Sequence, residues 1–251
     1  AACAALQRFK RAGKHVILIT NVPKPRGPIP GQLDHAGVPR DAWDAIVTSG
    51  DITLDYVAER GYRRVLKIEY DFDSSLFERM PVDAADVEGA EAIVCVGMRD
   101  HLHDTPDSYR PMLEQARERG LTFVCANPDL VVDVGGRLVP CAGTLAGLYE
   151  QLGGEVYWAG KPHRPAYEAA HAMAERIRGG PVERGRILAV GDSVRTDLAG
   201  ASGYGIDALL VAGGIHRDEL LDGGLLDPAA LARLLLPSSP RPVAAVAALS
   251  W

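Results

Sequence analysis

The order of the segments predicts an α/β fold with a parallel sheet wrapped by helices. Three observations carry that expectation. Short β-branched or apolar runs alternate with helical patterns along the chain, the pattern that builds parallel sheets. The runs VILIT (Val16–Thr20) and ILAV (Ile187–Val190) are continuously apolar, as central strands covered on both faces are. Glycines follow several runs, at Gly50, Gly97, Gly160 and Gly191, and the carboxyl ends of strands are where open α/β sheets place their ligands.

The strand-like runs are His15–Thr20, Arg64–Ile68, Ala92–Val96, Leu121–Ala126, Glu155–Ala159, Ile187–Val190 and Ala208–Val211. Helices are expected over Ala1–Ala12, with Leu6 and Phe9 as its apolar positions and Gly13 as its stop, and over Thr53–Arg60, Ser108–Arg119, Thr144–Leu152, Pro165–Arg178, Thr196–Ser202 and Pro228–Leu236. The first helix has no residue ahead of it to cap it, and residue 1 is alanine. Sequence preceding Ala1 is therefore expected in the natural protein. The proline-rich segment Pro237–Pro242 leads to Trp251.

Composition narrows the function. The chain has 251 residues, 47% hydrophobic and 24% charged, in the range of an ordinary globular protein. A formal charge of −6, with basic residues interleaved among acids, argues against a nucleic-acid partner. No run reaches the ~20 apolar residues that span a bilayer, and no signal peptide is visible, so a cytoplasmic protein without a membrane partner is expected. Cys3, Cys95, Cys125 and Cys141 form no CxxC pair, and three lie in or beside apolar runs. They read as reduced, packed thiols.

Three strand ends carry residues suited to chemistry. Thr20 and Asn21 end VILIT; Lys161 follows VYWAG; Asp192 ends ILAVG, with Ser193 beside it and Asp197 five residues on. Each has a plain explanation, since Asn before prolines makes turns and Asp after a strand caps helices. Together they place a hydroxyl, a lysine and two carboxylates on the edge of one expected sheet. Lysine neutralises phosphate oxygens, carboxylates hold Mg²⁺, and a hydroxyl hydrogen-bonds a transferring phosphoryl group.

The order Thr20-Asn21, then GKP, then GDSxxTD resembles the second, third and fourth motifs of the haloacid dehalogenase superfamily. TSGD (Thr48–Asp51), CANPD (Cys125–Asp129), GTLAGLYEQLGG and TDLAGASGYG resemble its class IIA branch, and the resemblance runs from about Ala1 to His216. It implies a Rossmann-like core, residues 1–51 and 155–251, with an inserted α/β cap of the C2 type at 52–154. It implies an Mg²⁺-dependent phosphatase acting on a small phosphorylated metabolite, with a homodimer through the cap as one arrangement of the branch. Thr20 would bind the phosphoryl group with Asn21 beside it, and Lys161 would contact phosphate and nucleophile. Asp192 would ligate the metal with Ser193 as neighbour, and Asp197 would stand behind the metal or order Lys161.

The family's first motif, a DxD whose first aspartate attacks phosphorus, has no counterpart at the amino end. Residues 1–251 alone are therefore expected not to hydrolyse phosphate esters. One DxD does occur, Asp71-Phe72-Asp73, but it follows Thr20 in sequence, and the family comparison makes it an exposed turn of the cap. Asp100-His101-Leu102-His103-Asp104 has metal-binding residue types, yet it reads as a solvated loop. His163 is expected to shape its turn, Asn127 and Asp129 to line the cap–core junction, and Arg99 and Arg110 to face an anionic substrate. The rival reading is a phosphate- or nucleotide-binding module without catalysis. A Rossmann nucleotide-dependent enzyme is weaker, for no GxGxxG follows the first strand.

Overall fold

A computed structural model describes residues 1–70, 73–100, 102–134, 137–236 and 239–250. Asp71, Phe72, His101 and Trp251, named above, lie outside the described residues, as do Pro237 and Ser238. The chain forms two compact units, one made of residues 1–19, 29–46 and 161–251, the other of residues 20–28 and 47–160.

The second unit is organised by a five-stranded parallel sheet. Its spatial order is Asp83–Ala84, Arg64–Ile68, Ala92–Cys95, Thr122–Cys125 and Val156–Trp158. The strand Val156–Trp158 pairs in register with Phe123–Cys125, and the division between units falls just after it, between Gly160 and Lys161. Alternate residues of each strand feed separate cores, as a two-residue period requires. Leu66, Ile68, Ile93, Cys95, Phe123 and Cys125 pack with Leu113, Leu145, Ala146 and Tyr149 from the helices Arg110–Glu118 and Ala142–Gln151. Val65, Val94, Val96, Val124 and Ala126 pack on the other side with Tyr56 and Val57 of the helix Ser49–Arg60, and with Leu76, Phe77 and Met80. The middle residues of the two central strands, Ile93, Val94, Phe123 and Val124, are fully buried. An antiparallel hairpin, Val131–Val134 with Arg137–Pro140, completes this unit.

The first unit carries the strands Leu188–Gly191, Asp207–Val211 and Ala244–Val246 in one parallel sheet. The strand Ile17–Thr20 pairs with Ala45–Thr48 in a separate two-stranded sheet. Both expected central strands are thus more open than their composition suggests. Leu188 is 51% and Val190 44% exposed, and no residue of Ile17–Thr20 is fully buried. Among the described residues, Leu188–Gly191 pairs on one side only, with Asp207–Val211. The opening helix, Ala2–Arg11, is tied down by ion pairing of Lys10 to Asp44 at 3.0 Å and by a Gln7–Asp41 hydrogen bond of 2.6 Å.

Cys95, Cys125 and Cys141 are buried free thiols and Cys3 is a half-buried one. Burial pushes the Cys141 thiol up to about 11 and raises Cys95 and Cys125 further, which suits packing rather than nucleophilic roles. Among the described residues no helix is long and apolar enough to cross a membrane.

Candidate active site

The strand Leu188–Gly191 delivers Asp192, and the chain then turns at once through a short π-helical segment, Val194–Leu198. Ser193 caps it, its Oγ accepting from the Thr196 N–H at 3.1 Å. The Ser193 carbonyl accepts from the N–H groups of both Asp197 and Leu198, at 3.0 and 3.1 Å. Widened turns of this kind redirect a side chain, and they recur at functional positions. Here the redirected side chain is Asp197, which folds back beneath its own strand. Its Oδ2 accepts from the Asp192 and Ser193 N–H groups at 3.2 and 3.1 Å. Its Oδ1 accepts from Lys161 Nζ at 2.7 Å. Asp197 is buried and wholly engaged.

Glycine makes this possible. A Cβ at Gly191 would strike the Asp197 carboxyl group, and one at Gly214 would strike that of Asp192. The helix Arg164–Arg178 braces the turn through Tyr167, whose hydroxyl donates to the carbonyls of Thr196 and Asp197 at 3.3 and 3.1 Å. Burial, and then the Asp197 charge, raise the Tyr167 phenol far above its usual value, so it remains a donor.

Asp192 is held differently. Its Oδ2 accepts from the Ile215 N–H at 2.9 Å, while Oδ1 has no hydrogen-bond partner among the described residues. One oxygen is pinned and the other presented. That donor chemistry fits Mg²⁺, a hard cation commonly held by one or two carboxylates with waters and substrate phosphate completing its shell. Among the described residues there is no group of three or more His, Cys, Asp or Glu that could hold a metal ion. Both Ser193 oxygens accept hydrogen bonds within its own turn.

Thr20 and Asn21 belong with the other unit. Asn21 is buried and donates through Nδ2 to Asp129 Oδ1 at 2.9 Å, and the Asn127 side chain accepts from the Asp129 N–H at 3.2 Å. Thr20 Oγ1 accepts from the Val22 N–H at 3.2 Å, which leaves its hydroxyl hydrogen to donate elsewhere. The TSGD segment holds the loop that follows. Thr48 caps its helix by accepting from the Asp51 N–H at 3.0 Å, Ser49 Oγ donates to the Val22 carbonyl at 2.9 Å, and Asp51 pairs with Arg26 at 2.8 Å. The motif was visible in sequence as S/T-x-x-D, the form of a capping box, but its hold on the Val22–Arg26 loop was not. The strand ends expected on one sheet prove to close three: Thr20 the two-stranded sheet, Trp158 the five-stranded one, Gly191 the three-stranded one.

The remaining candidates have local roles. Asp73 is no solvated turn residue: it pairs with Lys24 at 2.6 Å and accepts from the Ser75 N–H at 3.1 Å. Burial alone would raise its pKa, but Lys24 and Ser75 together hold it below the usual aspartate value. Asp100 pairs with the exposed His103 at 2.7 Å and Asp104 accepts from the Tyr109 hydroxyl, so this loop is tied to itself. Arg110 pairs with Asp107 at 2.9 Å. His163 occupies the N-cap position of the helix Arg164–Arg178.

Residues 1–79 match the model of the haloacid dehalogenase-like hydrolases, and residues 158–236 match that of the HAD-hydrolase-like proteins. A haloacid dehalogenase-like hydrolase from Brucella suis 1330 shares 43% identity, over 99% of this chain and 88% of its own, with a TM-score of 0.80. The chain therefore belongs to the haloacid dehalogenase-like hydrolases, with their α/β core and an inserted cap. The p-nitrophenyl phosphatase from Archaeoglobus fulgidus is similar in fold, with 22% identity over 98% of this chain and 88% of its own and a TM-score of 0.69. The 4-nitrophenylphosphatase from Thermotoga maritima resembles it equally, with 22% identity over 98% and 85% of the two chains and a TM-score of 0.68. No curated protein matches the chain.

Proposed function

We propose that the protein is a Mg²⁺-dependent phosphomonoester hydrolase working through an aspartyl-phosphate. The observation that supports this most is the Lys161–Asp197–Asp192 arrangement: a lysine fixed by one aspartate beside a second aspartate that offers a free oxygen. Asp197 aims Lys161; the ammonium neutralises phosphate oxygens and the attacking carboxylate. Thr20 and Asn21 serve the phosphoryl group as hydrogen-bond partners. Asp192 would hold Mg²⁺, which would supply charge shielding between the phosphate and the incoming carboxylate. That carboxylate belongs to the family's first motif. The DxD at Asp71–Asp73 is set aside because it follows Thr20 in the chain, whereas the family's first motif precedes its second; Asp73 is paired with Lys24.

The substrate is a small phosphorylated metabolite. The protein works in the cytoplasm, and a homodimer through the cap is its expected assembly. With the full gene product, hydrolysis of a generic aryl phosphate should require Mg²⁺ and be abolished by Lys161→Ala or Asp192→Asn. Full activity in either variant rejects the reading. Residues 1–251 alone should bind phosphate without turning it over, and Mg²⁺-dependent turnover by them would be equally damaging.

A further inference from the structure

The inserted unit contains a feature that phosphoryl transfer does not use. Its five-stranded sheet changes direction once. After Arg64–Ile68 the chain moves to one side, to Asp83–Ala84; after Ala92–Cys95 it moves to the other, to Thr122–Cys125. In parallel sheets the crevice beyond the carboxyl ends of two such strands is the place where ligands settle, because the connections leave in opposite directions and keep it open. A cavity of about 450 Å³ lies there, lined by Lys67, Glu69, Tyr70, Ser74 and Arg99.

The lining is polar and incompletely paired. Neither Lys67 nor Arg99 has a carboxylate within ion-pairing distance among the described residues. Both are nonetheless positioned. Lys67 Nζ sits 5.0 Å from the centre of the Phe77 ring, and Arg99 Nη2 reaches the Lys67 carbonyl at 3.4 Å. Glu69 Oε2 is a buried oxygen with no hydrogen-bond partner among the described residues, an arrangement native proteins rarely leave without cause. Gly97 at the second strand's end lets the Tyr70 ring pack against the backbone, since a Cβ there would strike that ring.

We propose that this cavity is a binding site for a small molecule carrying an anionic group next to an ammonium or hydroxyl donor. Lys67 and Arg99 take the anion, a phosphate or a carboxylate, and Glu69 accepts from the donor. Burial raises the Glu69 pKa, the Lys67 charge works against that rise, and the Asp73 and Glu78 charges add to it. The site stands on the inserted unit alone and does not depend on the phosphatase reading.

The test is titration of the full chain in metal-free buffer with O-phosphoethanolamine, β-alanine and inorganic phosphate. At least one zwitterion should bind tenfold more tightly than inorganic phosphate, and the better of the two identifies the anion. Lys67→Gln and Arg99→Gln should each weaken that binding tenfold or more, and Glu69→Gln should remove the preference for a zwitterion. Lys161→Ala, in the other unit, removes the phosphate site proposed there, so the titrations are repeated in that background, where the zwitterion should still bind and Lys67→Gln and Arg99→Gln should still weaken it tenfold. The proposal is overturned if, in the Lys161→Ala background, no zwitterion binds in the millimolar range, if inorganic phosphate binds there as tightly as the zwitterions, or if binding does not follow Lys67 and Arg99. Thermal melts of each variant separate lost binding from lost folding.

Discussion

Val94 and Val190 are both valines on parallel strands, yet one is fully buried and the other is 44% exposed. They stand for two ways of building a unit. The inserted unit is held by apolar cores on both faces of its sheet. The three-stranded sheet of the other unit leaves Leu188 and Val190 open, and its order near Asp192 comes from glycines and a polar network. The first construction buries apolar surface; the second sets a carboxylate and a lysine 2.7 Å apart. Binding and catalysis need the second kind of order more than the first.

Substitutions can break this contrast, and Phe123→Ala should have the largest effect. It removes a ring buried beneath the inserted sheet and should cost about 3–5 kcal/mol, read as a fall in denaturation midpoint. Gly191→Ala should come next, at roughly 1–3 kcal/mol, because the new methyl displaces the Asp197 carboxyl group. Unlike Phe123→Ala it should also abolish any activity that depends on Lys161. The valine pair gives the direct comparison. Val94→Thr buries a hydroxyl and should cost about 1–3 kcal/mol, while Val190→Thr should stay within about 0.5 kcal/mol.

The smallest effect is electrostatic. The folded-state pKa of Asp73 is lowered, so its stabilising contribution is present above the ordinary aspartate value near 4 and is lost as pH falls through the depressed folded value. The pair with Lys24 is partly exposed and worth about 1 kcal/mol or less. The melting difference between the wild type and Asp73→Asn should therefore close as the pH is lowered from about 5 to 2.

Much of the inserted unit was legible because its strands are compact apolar runs: Arg64–Ile68 has the expected limits, and Ala92–Cys95 and Thr122–Cys125 lie within theirs. Other elements left weaker traces. Ala244–Val246 lies in PVAAVAA, where alanine carries little strand preference, and only pairing with Asp207–Val211 makes it a strand. Ala45–Thr48 is short and runs directly into the helix that Thr48 caps, so no turn residues separate the two. The hairpin of Val131–Val134 with Arg137–Pro140 has a sequence signal, two glycines between apolar runs. In the site, GKP and GDSxxTD pointed to Lys161, Asp192 and Asp197. The contact between Lys161 and Asp197 was one of two expected arrangements, and the π-turn that creates it has no sequence signature. The cavity at Lys67, Glu69 and Arg99 was not legible, because strand order, which places it, is not written in any one segment.

The central claim is that Asp192 offers one oxygen to Mg²⁺ while Asp197 serves Lys161. The most direct measurement is the Mg²⁺ dependence of aryl phosphate hydrolysis by the full gene product and by its Asp192→Glu and Asp197→Asn variants. Asp192→Glu should raise the half-saturating Mg²⁺ concentration at least tenfold. Asp197→Asn should lower kcat at saturating metal and leave that concentration within about twofold. An unchanged Mg²⁺ requirement in Asp192→Glu, or a larger shift in Asp197→Asn than in Asp192→Glu, would contradict the assignment.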